Sequence, residues 1–185
     1  MNDVVKSYVT LREMLVDRQI DISNLDSISD LEIDIMTRTN KIFSFNVNDN
    51  FRIIYYMNPK FKINDLKKYF GDEEKIIIIF KEKINNLNIK NLKDFENINI
   101  EIFILKELLF NISKHTLVPK HEIVKDEAEI NTIMETYQLK SKNQLPIILK
   151  TDPMSRYLDI KSGDIVKITR KSPSAGLAVM YRYCI

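Results

Sequence analysis

Glycine is almost missing from this chain: Gly71, Gly163 and Gly176 are the only three in 185 residues. A phosphate-cradling loop needs clustered glycines, because only a residue without Cβ lets the backbone approach the phosphates closely. Nucleotide binding through such a loop is therefore excluded. Histidine is nearly as scarce. His115 and His121 lie six positions apart with Pro119 between them, on different faces of any helix, and the single cysteine, Cys184, cannot complete a zinc site with them. We expect no metal, no cofactor and no small-molecule substrate. The lone cysteine also excludes a disulfide framework and suits a reducing compartment. Long apolar runs are absent too. The longest, Ile76 to Phe80, is far short of the roughly 20 residues that carry a helix across a bilayer, and the N-terminus lacks the basic-then-apolar layout of a secretion signal. Neither a membrane protein nor an exported one is expected.

Charge of one sign is not in excess either. The chain has 28 basic and 26 acidic residues, a net charge of +2, too little to mark a nucleic-acid binder by itself. Its distribution is more informative. From Met1 to Ser113 there are 16 basic and 18 acidic residues, net −2; from Lys114 to Ile185 there are 12 and 8, net +4. A basic second half fits an acidic partner, phosphates, or an ordinary solvated surface. With 44% hydrophobic and 29% charged residues, the chain can bury the core of one domain or of two small ones.

The patterning favours two. Val4, Tyr8, Leu11 and Leu15 recur at the helical period and predict a helix from Asp3 to Arg18. A weaker helix is expected from Ser27 to Thr39, although Leu31, Ile33 and Ile35 alternate as a strand would. Phe43–Val47 and Phe51–Tyr56 read as strands around an Asn48-Asp49-Asn50 turn. A short helix from Lys62 to Phe70 closed by Gly71, a doubly covered strand at Ile76–Phe80, a helix at Leu87–Phe95 and a strand at Ile98–Ile104 follow. This alternation predicts a small α/β layer. After a helix at Leu105–Asn111, Leu117-Val118-Pro119 forces extended backbone and a boundary near Ser113. Beyond it, Asp126-x-x-Glu129 is a capping box for a helix presenting Ile130, Ile133, Met134 and Tyr137. Asp152-Pro153 starts another helix. Strands at Ile165–Arg170 and Ala178–Cys184 flank a turn at Ser172–Gly176. The expected domains are 1–113 and 114–185, α/β in class and α+β overall.

No catalytic constellation emerges. Ser113 beside His115 is adjacency in sequence only, not a nucleophile held against a base on a sharp turn. A metal-dependent nuclease would need paired carboxylates on the strands. The acid-x-Lys triplet Glu73-Glu74-Lys75 instead lies ahead of the buried strand, where solvated side chains are expected, and no strand-borne carboxylates are expected. A free-standing nucleic-acid-binding module is the other alternative class.

Three strings in the second half carry a resemblance. They are His115–His121, Gln144–Tyr157 and Gly163–Gly176, the last running on into Val179-Met180-Tyr181-Arg182. In this order and spacing they resemble the assembly domain of the RNA polymerase subunit called H in archaea, the fifth subunit shared by eukaryotic nuclear polymerases. Thr10–Arg18 is similar to that family's first-helix signature, and Glu107–His115 to the segment leading into its C-terminal domain. The archaeal form lacks the first half, so the chain is similar to the full-length eukaryotic and large-virus type.

The resemblance implies a non-catalytic subunit of a multisubunit DNA-directed RNA polymerase. It implies a first domain with nuclease-like α/β topology, the lower jaw beside downstream duplex DNA, and a second domain with a mixed sheet docked on the largest subunit. Other polymerase subunits are then partners too. The setting would be the nucleus for a cellular chain, or host cytoplasm or virion for one from a large DNA virus. The family's Thr-Pro-Ser-Ala loop near DNA corresponds here to Lys81–Lys90, where Lys83, Asn85, Asn86 and Lys90 are the candidates for phosphate contact. The family's Leu-Pro-Arg is Leu145-Pro146-Ile147 here, and its Ser-Glu-Thr-Ala-Gly is Ser172-Pro173-Ser174-Ala175-Gly176. Both changes remove a charge. Turn prolines, glycines and apolar positions stabilise the fold, which leaves Arg156, Lys167, Arg170, Lys171 and Arg182 as the candidate partner interface.

Overall fold

The apolar stripe Val4, Tyr8, Leu11 and Leu15 forms one face of a helix, α1 (Asp3–Asp17), in a computed structural model that describes residues 2–71, 74–93, 98–172 and 176–185. All four side chains are buried, and each contributes roughly 1.5–3 kcal/mol by leaving water. Asn2 caps the helix by accepting from the Val4 N–H at 3.3 Å. Gln19, at φ 62°, ends it, and the Ile20 N–H folds back to the Leu15 carbonyl at 3.0 Å. The chain divides into two units, Met1–Phe110 and Asn111–Ile185.

In the first unit a four-residue helix, α2 (Ser23–Asp26), precedes α3 (Asp30–Thr39). The alternation of Leu31, Ile33 and Ile35 does not produce a strand. Ser29 and Glu32 close a capping box, with Ser29 N–H donating to Glu32 at 2.7 Å and Glu32 N–H to Ser29 at 3.3 Å. Helical spacing then buries Ile33 and leaves Leu31 and Ile35 exposed.

The sheet follows: β1 (Ile42–Asn48), β2 (Phe51–Tyr56), β3 (Lys75–Phe80) and β4 (Asn99–Ile104), in that spatial order. β1 and β2 form the expected antiparallel hairpin, whereas β2, β3 and β4 are parallel. Parallel neighbours require crossovers, supplied by α4 (Ile63–Lys67) and α5 (Asn86–Lys93). α4 stops well before Gly71, and the last two residues of the helix expected at Leu87–Phe95 lie outside the described residues. On one sheet face Ile54, Tyr56, Ile76, Ile78, Phe80 and Ile100 pack with Leu66 of α4 and Leu92 of α5. On the other, α1 reaches the sheet: the Tyr8 and Phe45 rings are 5.3 Å apart and Ser7 Oγ lies 3.2 Å from the Tyr55 hydroxyl. β3 is covered on both faces, as its unbroken isoleucine run requires.

The expected helix at Leu105–Asn111 is instead two 3-10 turns, Leu105–Leu108 and Ile112–Lys114. Glu107 accepts from the Ile104 N–H at 2.9 Å, and Asn111 accepts from the Ser113 N–H at 2.9 Å. Each turn is thus capped separately, and no continuous helix forms. The second turn packs on a helix of the second unit, so the division falls after Phe110 and not after Ser113.

The second unit contains β5 (Lys120–Val124), α6 (Glu127–Thr136), β6 (Ile147–Ile148), α7 (Pro153–Leu158), β7 (Ile165–Ser172) and β8 (Gly176–Cys184). Its mixed sheet runs β5-β7-β8-β6, with β6 parallel to β8 and the other pairs antiparallel. Asp126 caps α6 through the Ala128 N–H at 3.0 Å and Asp152 caps α7 through the Met154 N–H at 2.8 Å. Val166, Ile168, Cys184 and Ile148 pack with Ile160 and Leu158 in one cluster. Ile165 and Val124 pack with Ile133 of α6 and with Leu145 in another. Gly163, at φ 100°, makes the turn into β7, and Gly176, at φ 67°, opens β8.

Candidate interaction surfaces

A nuclease site would have to be built on the parallel strands of the first unit. The structure corrects one expectation there, because a carboxylate is strand-borne: Glu101, on β4. It is fully engaged. Arg18 makes a fork onto it, Nη1 at 3.2 Å and Nη2 at 2.9 Å, and Lys75 Nζ reaches it at 3.0 Å. Lys75, the lysine of the acid-x-Lys triplet, also lies over the Phe51 ring. Glu74 is exposed ahead of the strand, and Glu73 lies outside the described residues. A carboxylate with two cations on it neither recruits a divalent ion nor acts as a base. Among the described residues no group of His, Cys, Asp and Glu could hold a metal ion. No helix of the described residues is long and apolar enough to cross a membrane.

The Lys81–Lys90 segment leaves the carboxyl end of β3, where the Lys81 N–H bonds the Tyr56 carbonyl at 3.2 Å. Lys83, Asn85, Asn86 and Lys90 are all exposed. Asn85 also serves the fold, since its side chain accepts from the Leu87 N–H at 3.4 Å at the start of α5. Lys83 and Lys90 are the cations of the segment's candidate set, and exposed lysines act on phosphates as point charges without reading sequence.

The five candidate interface residues of the second unit do not form one patch. Register places Arg170 opposite Ala178 and Lys171 opposite Leu177 near the turn end of the β7–β8 hairpin, both exposed. Lys167 donates to Glu129 of α6 at 3.1 Å, and that bond and charge hold its ammonium above the ordinary lysine range. Glu129 therefore braces α6 to β7 instead of completing the expected capping box. Arg182 donates through Nη1 to the Ile147 carbonyl at 3.0 Å, tying β8 to β6. Arg156 sits half-buried on α7.

An apolar strip also lies on this unit, among residues that carry no charge. Leu177, Val179, Ile147, Leu149 and Ile185 are all between 44% and 66% exposed, on or next to β8 and β6. The sequence signal is the uncharged run Leu177 to Tyr181 in a strand.

Fold and surfaces define a class: two small α/β units without a catalytic constellation among the described residues, exposing charged and apolar patches suited to contact. Comparison shows what proteins of this class the chain is similar to. Residues 110–184 match the model of RNA polymerase Rpb5, C-terminal domain, and their span follows the second structural unit to within one residue at each end. The chain is 29% identical to the DNA-directed RNA polymerases I, II, and III subunit rpabc1 of Dictyostelium discoideum, over 100% of this chain and 98% of that protein. It is 27% identical to the DNA-directed RNA polymerases IV and V subunit 5B of Arabidopsis thaliana, over 94% and 85%. Against the DNA-directed RNA polymerase V subunit 5A of the same plant it is 29% identical over 71% and 60%. The second unit is thus similar to the Rpb5 C-terminal domain, and the likeness to the named subunits extends through the first unit.

Proposed function

We propose that this chain is a non-catalytic subunit of a multisubunit DNA-directed RNA polymerase, nuclear if its source is cellular. Its second unit docks on the largest subunit, and its first unit forms a jaw beside downstream duplex DNA. The observation that carries this reading is agreement of extent: the family match follows, to within one residue at each end, a unit that the fold separates independently. The full-length likeness to named polymerase subunits supports it from the other side. The ion-paired state of Glu101 removes the chemistry that the alternative, a nuclease, would need. Lys83 and Lys90 offer the jaw its phosphate contacts, and the Arg170–Lys171 end of the hairpin offers the docking surface its charge.

Purification of the tagged chain from its native source tests the proposal. The two very large polymerase chains should co-purify at near-equal stoichiometry and survive moderate salt. A chain recovered alone, or with other proteins only, contradicts it.

A further inference from the structure

The outer edge of β8 is left open. β6 pairs with only two of its residues, Ile147 with Tyr183 and Ile148 with Cys184. On that side the Tyr183 N–H donates to the Pro146 carbonyl at 2.8 Å and the Ile185 N–H to the Ile148 carbonyl at 3.1 Å. Backbone groups alternate in direction along a strand, so Leu177, Val179 and Tyr181 also turn theirs away from β7. Among the described residues no strand pairs with them there.

Sheet edges in soluble proteins are ordinarily blunted by charge, proline or a bulge. This one has none of these: Leu177 to Tyr181 contains no charged residue and no proline, and the β7–β8 register is unbroken. Leu177 and Val179 are 66% and 44% exposed beside the open backbone. Charge indicates the occupant. From Ile165 to Ile185 the chain has four basic residues and no acidic one. Two copies pairing edge to edge would bring those cations together, which is unfavourable.

We infer that this edge accepts an extended, acidic segment of a partner polypeptide as an additional strand, with alternate apolar side chains seated on Leu177 and Val179. Main-chain bonds to Leu177, Val179 and Tyr181 supply affinity, and Arg170, Lys171 and Arg182 select acidic flanks. The inference rests on the subunit reading and names its docking contact: the acceptor edge belongs to this chain and the donated strand to the largest polymerase subunit.

Hydrogen exchange of the full chain, alone and in the assembled polymerase, reads these three amides directly. In the free chain they should exchange fast, and assembly should slow them about tenfold or more, as a newly formed ladder does. Val179→Pro removes an outward donor without touching the β7 ladder and should reduce incorporation into the polymerase about tenfold. Leu177→Glu, which keeps the backbone intact and repels an acidic strand, should act in the same direction and separates edge blocking from misfolding. An assembled complex with unchanged exchange at all three amides overturns the added strand and leaves the subunit reading standing. Failure of the wild-type chain to assemble overturns the subunit reading and the named donor together. Protection that appears instead in a concentration-dependent dimer of the free chain assigns the edge to a second copy and overturns the partner.

Discussion

Glu101 holds two cations at once, and Arg18 beside it is nearly inaccessible, its side chain 3% exposed. Removing one member of such a buried set leaves the others without their counter-charge. We expect Glu101→Ala to destabilise the first unit by about 3 kcal/mol, measured by urea unfolding; a change below about 0.5 kcal/mol would show the set to be solvated. Cys184 and Tyr55 give a second test. Burial raises both the thiol and the phenol above their ordinary values. The folded chain therefore keeps protons that the unfolded chain releases. Their contribution is intact below about pH 8.5 and is lost as pH rises through the thiol range, then further above about pH 10 as the unfolded tyrosine ionises. The urea midpoint should fall from pH 8 to pH 10.5, and a flat midpoint would contradict the assignment.

Elements follow local signals where those signals agree. Asp152 capping α7 with Pro153 behind it was legible in the sequence, and the structure closes that cap at 2.8 Å. Asp152→Ala should cost about 1 kcal/mol of second-unit stability, read as a lowered urea midpoint. The strands of the first unit were equally legible, because an unbroken run such as Ile76–Phe80 has few alternatives to a doubly covered strand. β5 and β6 were not read as strands. β5 mixes Lys120, His121 and Glu122 with two apolar residues, and β6 is two residues long, so both are fixed by their pairing with β7 and β8. Leu105–Asn111 looked helical, yet its polar side chains cap two separate turns. The candidate site was legible only as exposure. That Lys83 and Lys90 face solvent follows from a polar segment after a buried strand; that Glu129 captures Lys167 depends on how α6 lies over β7, which no local window contains. Lys83→Ala with Lys90→Ala should leave the free chain's stability within about 0.5 kcal/mol. In the assembled enzyme it should lower the salt slope of DNA binding by about two units at most. An unchanged slope would make the segment a structural element.

The whole molecule consists of two units of opposite net charge, and neither carries a reaction centre among the described residues. The purified chain should hydrolyse neither DNA nor RNA with Mg²⁺ or Mn²⁺, and metal-dependent cleavage abolished by Glu74→Ala would return the nuclease reading. Residues 111–185 have their own caps, sheet and two apolar clusters, so this fragment should fold alone with a cooperative urea transition. Site-specific photocrosslinking in the transcribing polymerase tests the division of labour most directly. A crosslinker in place of Leu177 should capture the largest subunit, and one in place of Lys83 should capture duplex DNA ahead of the transcribed position. Capture of DNA from position 177 with none from position 83, or of no polymerase chain from either, would contradict it.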